Sequence, residues 1–196
     1  MGSLWRALRL SLSLAVLLAP PAHGQADSVE VCFNYDCKRH AAAAFSGPDM
    51  EGLRELLGAA TDAPSERTLL GVAIGRMYAV ASKQTPIWRD RGRNGIDERD
   101  VEGAMDCIDH STNTQAFLRF LAEHRMLRFH APAEREVRYA LLVFGEHWAA
   151  SVTETATGGR YAVDSWFFDP GVPAVVVALE RWRAGFDPDQ TAESWR

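Results

Sequence analysis

The sequence predicts an α+β fold in which a helix bundle packs on an antiparallel β-sheet. Over 50–60, 66–82 and 106–124 the apolar side chains recur at three- and four-residue spacing, the period of helices buried along one face. Past Pro132 the spacing shortens to the alternation of strands. Runs of helices followed by runs of strands are the pattern of an α+β chain.

The first residues carry Arg6 and Arg9, an apolar run from Leu10 to Ala19, then Pro20-Pro21 and the small-residue patch Ala22-His23-Gly24. Roughly ten apolar residues are too few to span a bilayer, so the segment reads as a secretory signal. Cleavage after Gly24, or after Ala26, divides the chain into a signal (1–24), one domain (25–186) and a loose polar tail (187–196). An uncleaved membrane anchor is the alternative. Export predicts a periplasmic or secreted protein without stable membrane insertion after cleavage. Acidic side chains outnumber basic ones, 26 to 21, which argues against nucleic-acid binding through phosphate neutralisation.

Leu53, Leu56 and Leu57 suggest a short helix over 50–60, ended near Pro64, with Ser65 as cap of the next. Leu69, Leu70, Ala73, Ile74, Met77 and Tyr78 form the buried stripe of a helix over 66–82. From Gln84 to Gly103, Pro86, glycines and many charges indicate a long surface loop of the kind that carries binding residues. A second strong helix starts at Asp106, which stands three residues before Asp109 in the spacing of an N-cap and its acidic third residue. Three strands in a meander follow: 137–144, a corner at Gly145-Glu146, 147–154, a turn at Thr157-Gly158-Gly159, and 160–167. Pro173 then opens a last helix through Val176, Leu179 and Trp182.

The chain has three cysteines. Cys32 and Cys37 are spaced to close a small loop in an oxidising compartment, while Cys107 has no local mate. Cys107 is therefore the candidate nucleophile, unless it bridges to one of the others. No second ligand pair with usable spacing supports a metal at Cys32 and Cys37. In the first turn of a helix, free amides and the helix dipole favour a thiolate and lower a cysteine pKa from about 8.5 toward 3.5–7.5. Asp106 and Asp109 oppose that shift, so the thiol needs a cationic partner.

His147, at the start of a strand, supplies the base, and Asp164, in an otherwise apolar strand, orients it and stabilises its charge. The Cys107 amide, with Trp88 or Gln84 from the preceding loop, would hold the oxyanion. Direct opposition of His147 and Asp164 centres their strand pairing near residues 155 and 156, ahead of the glycines. Closing the triad then requires a bulge or an asymmetric loop. His110, one turn after Cys107, competes as base, although a helical histidine there more often points to solvent.

At these residues the chain resembles the transglutaminase-like branch of the papain-like superfamily. Its members typically place the cysteine at a helix start in a Gly-x-Cys or Asp-Cys-x-Asp context, then a His-x-Trp or His-Trp strand and a Tyr-x-Val-Asp strand. Asp106-Cys107-Ile108-Asp109, His147-Trp148 and Tyr161-Ala162-Val163-Asp164 match, over about Glu66 to Trp166. The resemblance implies a papain-like core and is nearest in motif to bacterial transglutaminase-like cysteine proteinases, periplasmic enzymes some of which need calcium. Acidic residues on both sides of the cysteine are implicated in that need. Asp106 matches as a candidate ligand, whereas Ile108 departs from the pattern, and no other cofactor is implied. Arylamine acetyltransferases share the triad, but export argues against a coenzyme-A donor. Exported cell-wall cysteine peptidases usually follow the cysteine with two histidines, unlike Asp164 here.

The leading expectation is thus an exported cysteine hydrolase or acyl transferase acting on peptide or isopeptide bonds, its partner a protein or peptide in the cell envelope. One alternative is a non-catalytic module of the same fold that binds peptide or glycan through Trp88, Trp148 and Trp166. The other is a small structural protein whose cysteines are all architectural.

Overall fold

The computed structural model describes residues 27–141 and 144–189. The expected signal and its cleavage points lie outside these residues. The architecture is α+β: a two-stranded antiparallel hairpin, a four-stranded antiparallel sheet and, among the described residues, four α-helices. None of these helices is long and apolar enough to cross a membrane.

The hairpin, β1 (Asp27–Phe33) and β2 (Arg39–Phe45), has no counterpart in the helix-first reading of the sequence. The first helix, α1 (Gly47–Gly58), begins earlier than its leucines suggest. Ser46 caps it reciprocally with Asp49, and Pro48 sits in its first turn, where a missing N–H costs nothing. The next, α2 (Ala63–Ser82), is capped by Asp62; Ser65 is the third helical residue, returning its hydroxyl to the Asp62 backbone. Leu70, Ala73, Ile74, Met77 and Tyr78 of α2 are buried as their spacing predicts.

The helix α3 (Cys107–Glu123) starts where Asp106 and Asp109 indicate. The meander follows as β3 (His130–Leu141), β4 (Phe144–Glu154), β5 (Arg160–Asp164) and β6 (Val175–Ala178), hydrogen-bonded in that order. Three expectations need correction. The β3–β4 reversal is not at Gly145-Glu146, because Glu146 already pairs with Tyr139 and the last pair is Leu141 with Phe144. The stretch after Pro173 is not a helix throughout: the β-branched Val175–Val177 extend the sheet beside β5, and only Leu179–Arg183 (α4) is helical. The third strand also ends sooner than expected, at Asp164.

The main core joins the hairpin (Val31, Phe45), α1 (Leu53, Leu57), α2, α3 (Phe117, Leu118, Leu121) and one face of the sheet (Ala150, Val152, Val163). The opposite face carries a smaller core of Ala149, Ala162, Leu179 and Trp182. The β4 side chains therefore divide between faces as their alternation predicts. The segment leading into β6 lies directly on α2: a Cβ at Gly71 would come within 2.5 Å of the Ala174 carbonyl, and one at Gly75 within 2.8 Å of that of Val172. Glycine is what allows this approach.

Candidate active site

Cys107 is the first residue of α3, and its surroundings are set by how that helix begins. Asp106 Oδ1 accepts the Ile108 and Asp109 amides at 2.9 and 3.0 Å, and Asp109 Oδ2 accepts the Asp106 amide at 3.1 Å. The capping box thus occupies amides that would otherwise be free to stabilise a thiolate. The Cys107 amide, the first of the helix, has no intrahelical acceptor.

The β1–β2 loop grips the same two carboxylates. Asn34, Tyr35, Asp36 and Cys37 all have positive φ, 52–68°, so successive amides turn toward one side. Tyr35 and Cys37 donate to Asp109 at 2.8 and 2.6 Å, and Asp36 donates to Asp106 at 3.1 Å. A Cys32–Cys37 disulfide closes the loop, and the Asn113 side chain ties the Cys32 backbone to α3. Cys107 remains a free thiol. Burial, then the charge of Asp106, raises the Asp109 pKa to about 6, against the pull of the donated amides.

His147 and Asp164 meet without the bulge or asymmetric loop that direct opposition requires. The β4–β5 register pairs Ala150 with Val163 and continues regularly to Thr153 and Arg160. Asp164 therefore falls opposite Ala149, and His147, two residues further on the same face, is its diagonal neighbour. Diagonal positions are roughly 7–8 Å apart, within reach of a ring. His147 Nε2 lies 2.7 Å from Asp164 Oδ2. A carboxylate only accepts, so Nε2 carries the proton and Nδ1 keeps a lone pair. Trp182 Nε1 also donates to Asp164 at 2.8 Å, as does the Trp166 amide at 3.2 Å. Burial alone would push the Asp164 carboxyl up, but the His147 bond and charge, with Trp182 and the Trp166 amide, hold it below its ordinary value. The imidazole is packed among the rings of Trp166, Phe167 and Trp182, with centroids 4.7–5.8 Å away.

The thiol lies against the backbone beside this histidine. Cys107 Sγ is 3.9 Å from the Glu146 carbonyl, and the nearby Trp148 amide favours the thiolate. Cys107 and His147 line a cleft of about 570 Å³ with Asn94, Asp106, Arg138, Tyr139, Glu146, Trp166, Arg183 and neighbouring backbone. Burial foremost, with Asp106, Asp164 and Glu146 adding, raises the thiol pKa to about 11 against the pull of the Trp148 amide. A thiol raised this far is protonated at neutral pH, and dipole activation does not prevail. A smaller cavity of about 260 Å³ between α1 and α2 is lined by no cysteine, serine or histidine.

Several residues expected near the thiol are elsewhere. Gln84 is pinned by its amide to the Ala44 backbone, donating and accepting at 2.9 and 3.0 Å, and lines a separate depression with Trp88. Neither lines the cleft, which removes both as oxyanion donors. Trp88 is 59% exposed, and the Trp148 indole N–H is buried, so of the three tryptophans considered for binding only Trp166 lines the cleft. Tyr139, at its rim, was not anticipated. Asp106 lines the cleft, and its carboxylate, which offers about four acceptor sites, gives two to the Ile108 and Asp109 amides and one to that of Asp36. Among the described residues, Cys32, Cys37 and Asp109 are clustered as metal ligands would be, but the two sulfurs are bonded to each other. The tail expected to be loose begins at Asp187, whose carboxylate is held by Arg93 at 2.7 and 3.1 Å.

His110 does not point to solvent. It is 2% exposed, with Nε2 2.9 Å from Asp90 Oδ2 and Nδ1 3.0 Å from Ser165 Oγ. Burial lowers its pKa, but the Asp90 charge and bond reverse this, leaving it raised. Ser165 also reaches Thr114 and Tyr78. Asp90 further accepts the Met105 amide and the Asn94 side chain, both at 2.7 Å, fixing the approach to Cys107. The sequence offers one signal for Asp90, a carboxylate in a loop before the nucleophile, and it does not stand out from the charges around it.

No protein-family model, curated protein or solved structure matches this chain.

Proposed function

We propose that this chain is an exported cysteine hydrolase or acyl transferase with a papain-like, transglutaminase-like core, acting on peptide or isopeptide bonds through Cys107, His147 and Asp164. The observation that carries this reading is the 2.7 Å His147–Asp164 bond, on a strand whose backbone at residues 146 and 148 flanks the Cys107 sulfur. The bond leaves an unprotonated Nδ1 to accept a proton. Because the resting thiol is protonated, His147 works as a general base during attack, not as half of a preformed ion pair.

As sulfur bonds the acyl carbon, its proton passes to Nδ1 and the carbonyl electrons move to oxygen, which the Cys107 amide receives. Collapse restores the carbonyl and expels the amine, which takes the proton from Nδ1 and leaves a thioester. Water or a second amine then attacks, gives its proton to Nδ1, and the departing sulfur recovers it. Asp164 stabilises the imidazolium in both halves. The Cys32–Cys37 bridge supports an oxidising compartment, periplasmic or external, with a protein or peptide of the cell envelope as substrate.

The test is acylation by p-nitrophenyl acetate. An initial burst of one equivalent of nitrophenolate should be released per Cys107 and none by Cys107→Ala. His147→Ala should acylate about 10²–10⁴-fold more slowly. Equal rates for His147→Ala and the unsubstituted protein would overturn the reading. Binding without turnover is the second reading, favoured by the raised thiol pKa and the aromatic walls Tyr139 and Trp166. It requires that Cys107→Ala protein capture a peptide or glycan as tightly as the unsubstituted one, with no acyl-enzyme formed.

A further inference from the structure

The two arginines that line the cleft are unequally compensated. Arg183 is paired with Glu136. Arg138, which also lines the cleft, has no carboxylate within ion-pairing distance among the described residues. Its Nη1 donates to the Trp182 and Phe186 carbonyls at 2.5 and 2.9 Å, which anchors one side of the guanidinium. The same group lies over the Trp182 ring, 4.7 Å from the centroid. The Nε–Nη2 edge, the side that binds carboxylates through two parallel hydrogen bonds, has no partner among the described residues. Burial foremost lowers the Arg138 pKa, with Asp164 and Asp187 opposing. A fixed, half-buried cation with one edge unused is costly until an anion meets it.

Its position relates it to the chemistry. Arg138 and His147 are direct cross-strand partners. Their Cβ atoms are therefore about 5 Å apart on one face of the sheet. Arg138 and Cys107 line the same cleft, so a carboxylate bound at Arg138 would belong to the molecule whose carbonyl Cys107 attacks.

We infer that Arg138 selects substrates carrying a free carboxylate close to the scissile bond. This deepens the proposed function and rests on the cleft being the place where Cys107 is acylated. The carboxylate is either the α-carboxylate of a chain end or an acidic side chain within a peptide; both offer the same two oxygens.

Iodoacetate and iodoacetamide differ in this group alone, so the ratio of their rates of Cys107 alkylation isolates it from general thiol reactivity. Arg138→Gln should lower the iodoacetate-to-iodoacetamide ratio by about tenfold or more, and Arg138→Lys, which keeps the charge but loses the fork, by less. In the unsubstituted protein the ratio should fall as salt is raised. That measurement stands if Arg138→Gln does not fold. A ratio unchanged within twofold by the substitution, or by salt where the variant is unfolded, would overturn the inference. Short peptides used to protect Cys107 from iodoacetamide separate the two sources. Protection by free-ended but not amidated peptides assigns the chain end, and protection by amidated peptides with an acidic side chain assigns the internal site. Equal protection by neutral peptides would also overturn the inference. The acyl reading fails separately, through the p-nitrophenyl acetate comparison, which does not involve Arg138's anion.

Discussion

Cys107 and His147 line a cleft with Asp164 bonded behind them, while Ser165, His110 and Asp90 form the same order of hydroxyl, imidazole and carboxylate in the interior. The clusters are neighbours: Asp164 precedes Ser165 on the chain, and Cys107 precedes His110 by one turn of α3. Their histidine–carboxylate distances differ little, 2.7 against 2.9 Å. They differ in access. Ser165, His110 and Asp90 are 8%, 2% and 0% exposed, and the Ser165 hydroxyl is shared with Thr114 and Tyr78. A hydrogen-bond relay alone does not make a nucleophile; it also needs a side open to a reactant. The interior relay instead builds the approach to the open one, because Asp90 holds the Met105 amide two residues before Cys107.

The largest effect that would break this division is on stability. Asp90→Ala leaves a buried imidazole, an amide and a carboxamide without their acceptor, and should cost about 3–5 kcal/mol in urea unfolding. Cys107→Ala, which removes a partly buried sulfur, should shift the same midpoint far less while abolishing acylation. Comparable midpoints for the two variants would mean that Asp90 does not anchor the interior.

Ser165→Ala gives a smaller and sharper contrast. Loss of the hydroxyl strands His110 Nδ1 and its two hydroxyl neighbours, a cost of about 1–3 kcal/mol. Acylation by p-nitrophenyl acetate should persist, with the label on Cys107 by mass spectrometry. Disappearance of the label with Ser165→Ala would assign the nucleophile to the wrong cluster here.

What the sequence revealed follows the same line between local and distant causes. Asp106 and Asp109 announce the start of α3 because a capping box is a local pattern, and Cys107, His147 and Asp164 stand out as polar residues at element ends or in apolar strands. Their juxtaposition was less legible, since diagonal and direct pairing differ by two residues of register and only the hydrogen-bonded sheet settles which applies. The left-handed loop at Asn34–Cys37 carries no glycine to mark it; amide bonds to Asp106 and Asp109, some seventy residues away, sustain it. Val175–Val177 read as part of a helix because their pairing partner, β5, is distant information of the same kind. Gln84 and Trp88 were placed by proximity in sequence to Cys107, whereas Gln84 is bound by a backbone edge at Ala44 that the sequence does not display.

The smallest expected effect concerns the charge state of the open cluster. The Cys107 thiol, ordinarily at 9.0, is raised to about 11 in the folded protein, so between these values the native state keeps a proton that the unfolded chain has lost. Stability is therefore highest below the unfolded value and declines as pH rises through that window, and Cys107→Ala should remove this part of the decline. In His147→Ala, where the base is absent, iodoacetamide alkylation should climb with pH and level off only near the upper value. Glu146→Gln deletes the weakest of the named charges and should move that midpoint down by roughly a few tenths of a pH unit. The interior relay has no thiol to titrate, so Ser165→Ala should leave the alkylation profile in place. A midpoint near or below the ordinary thiol value would show instead that the cleft favours the thiolate, and that the two clusters differ in charge as well as in access.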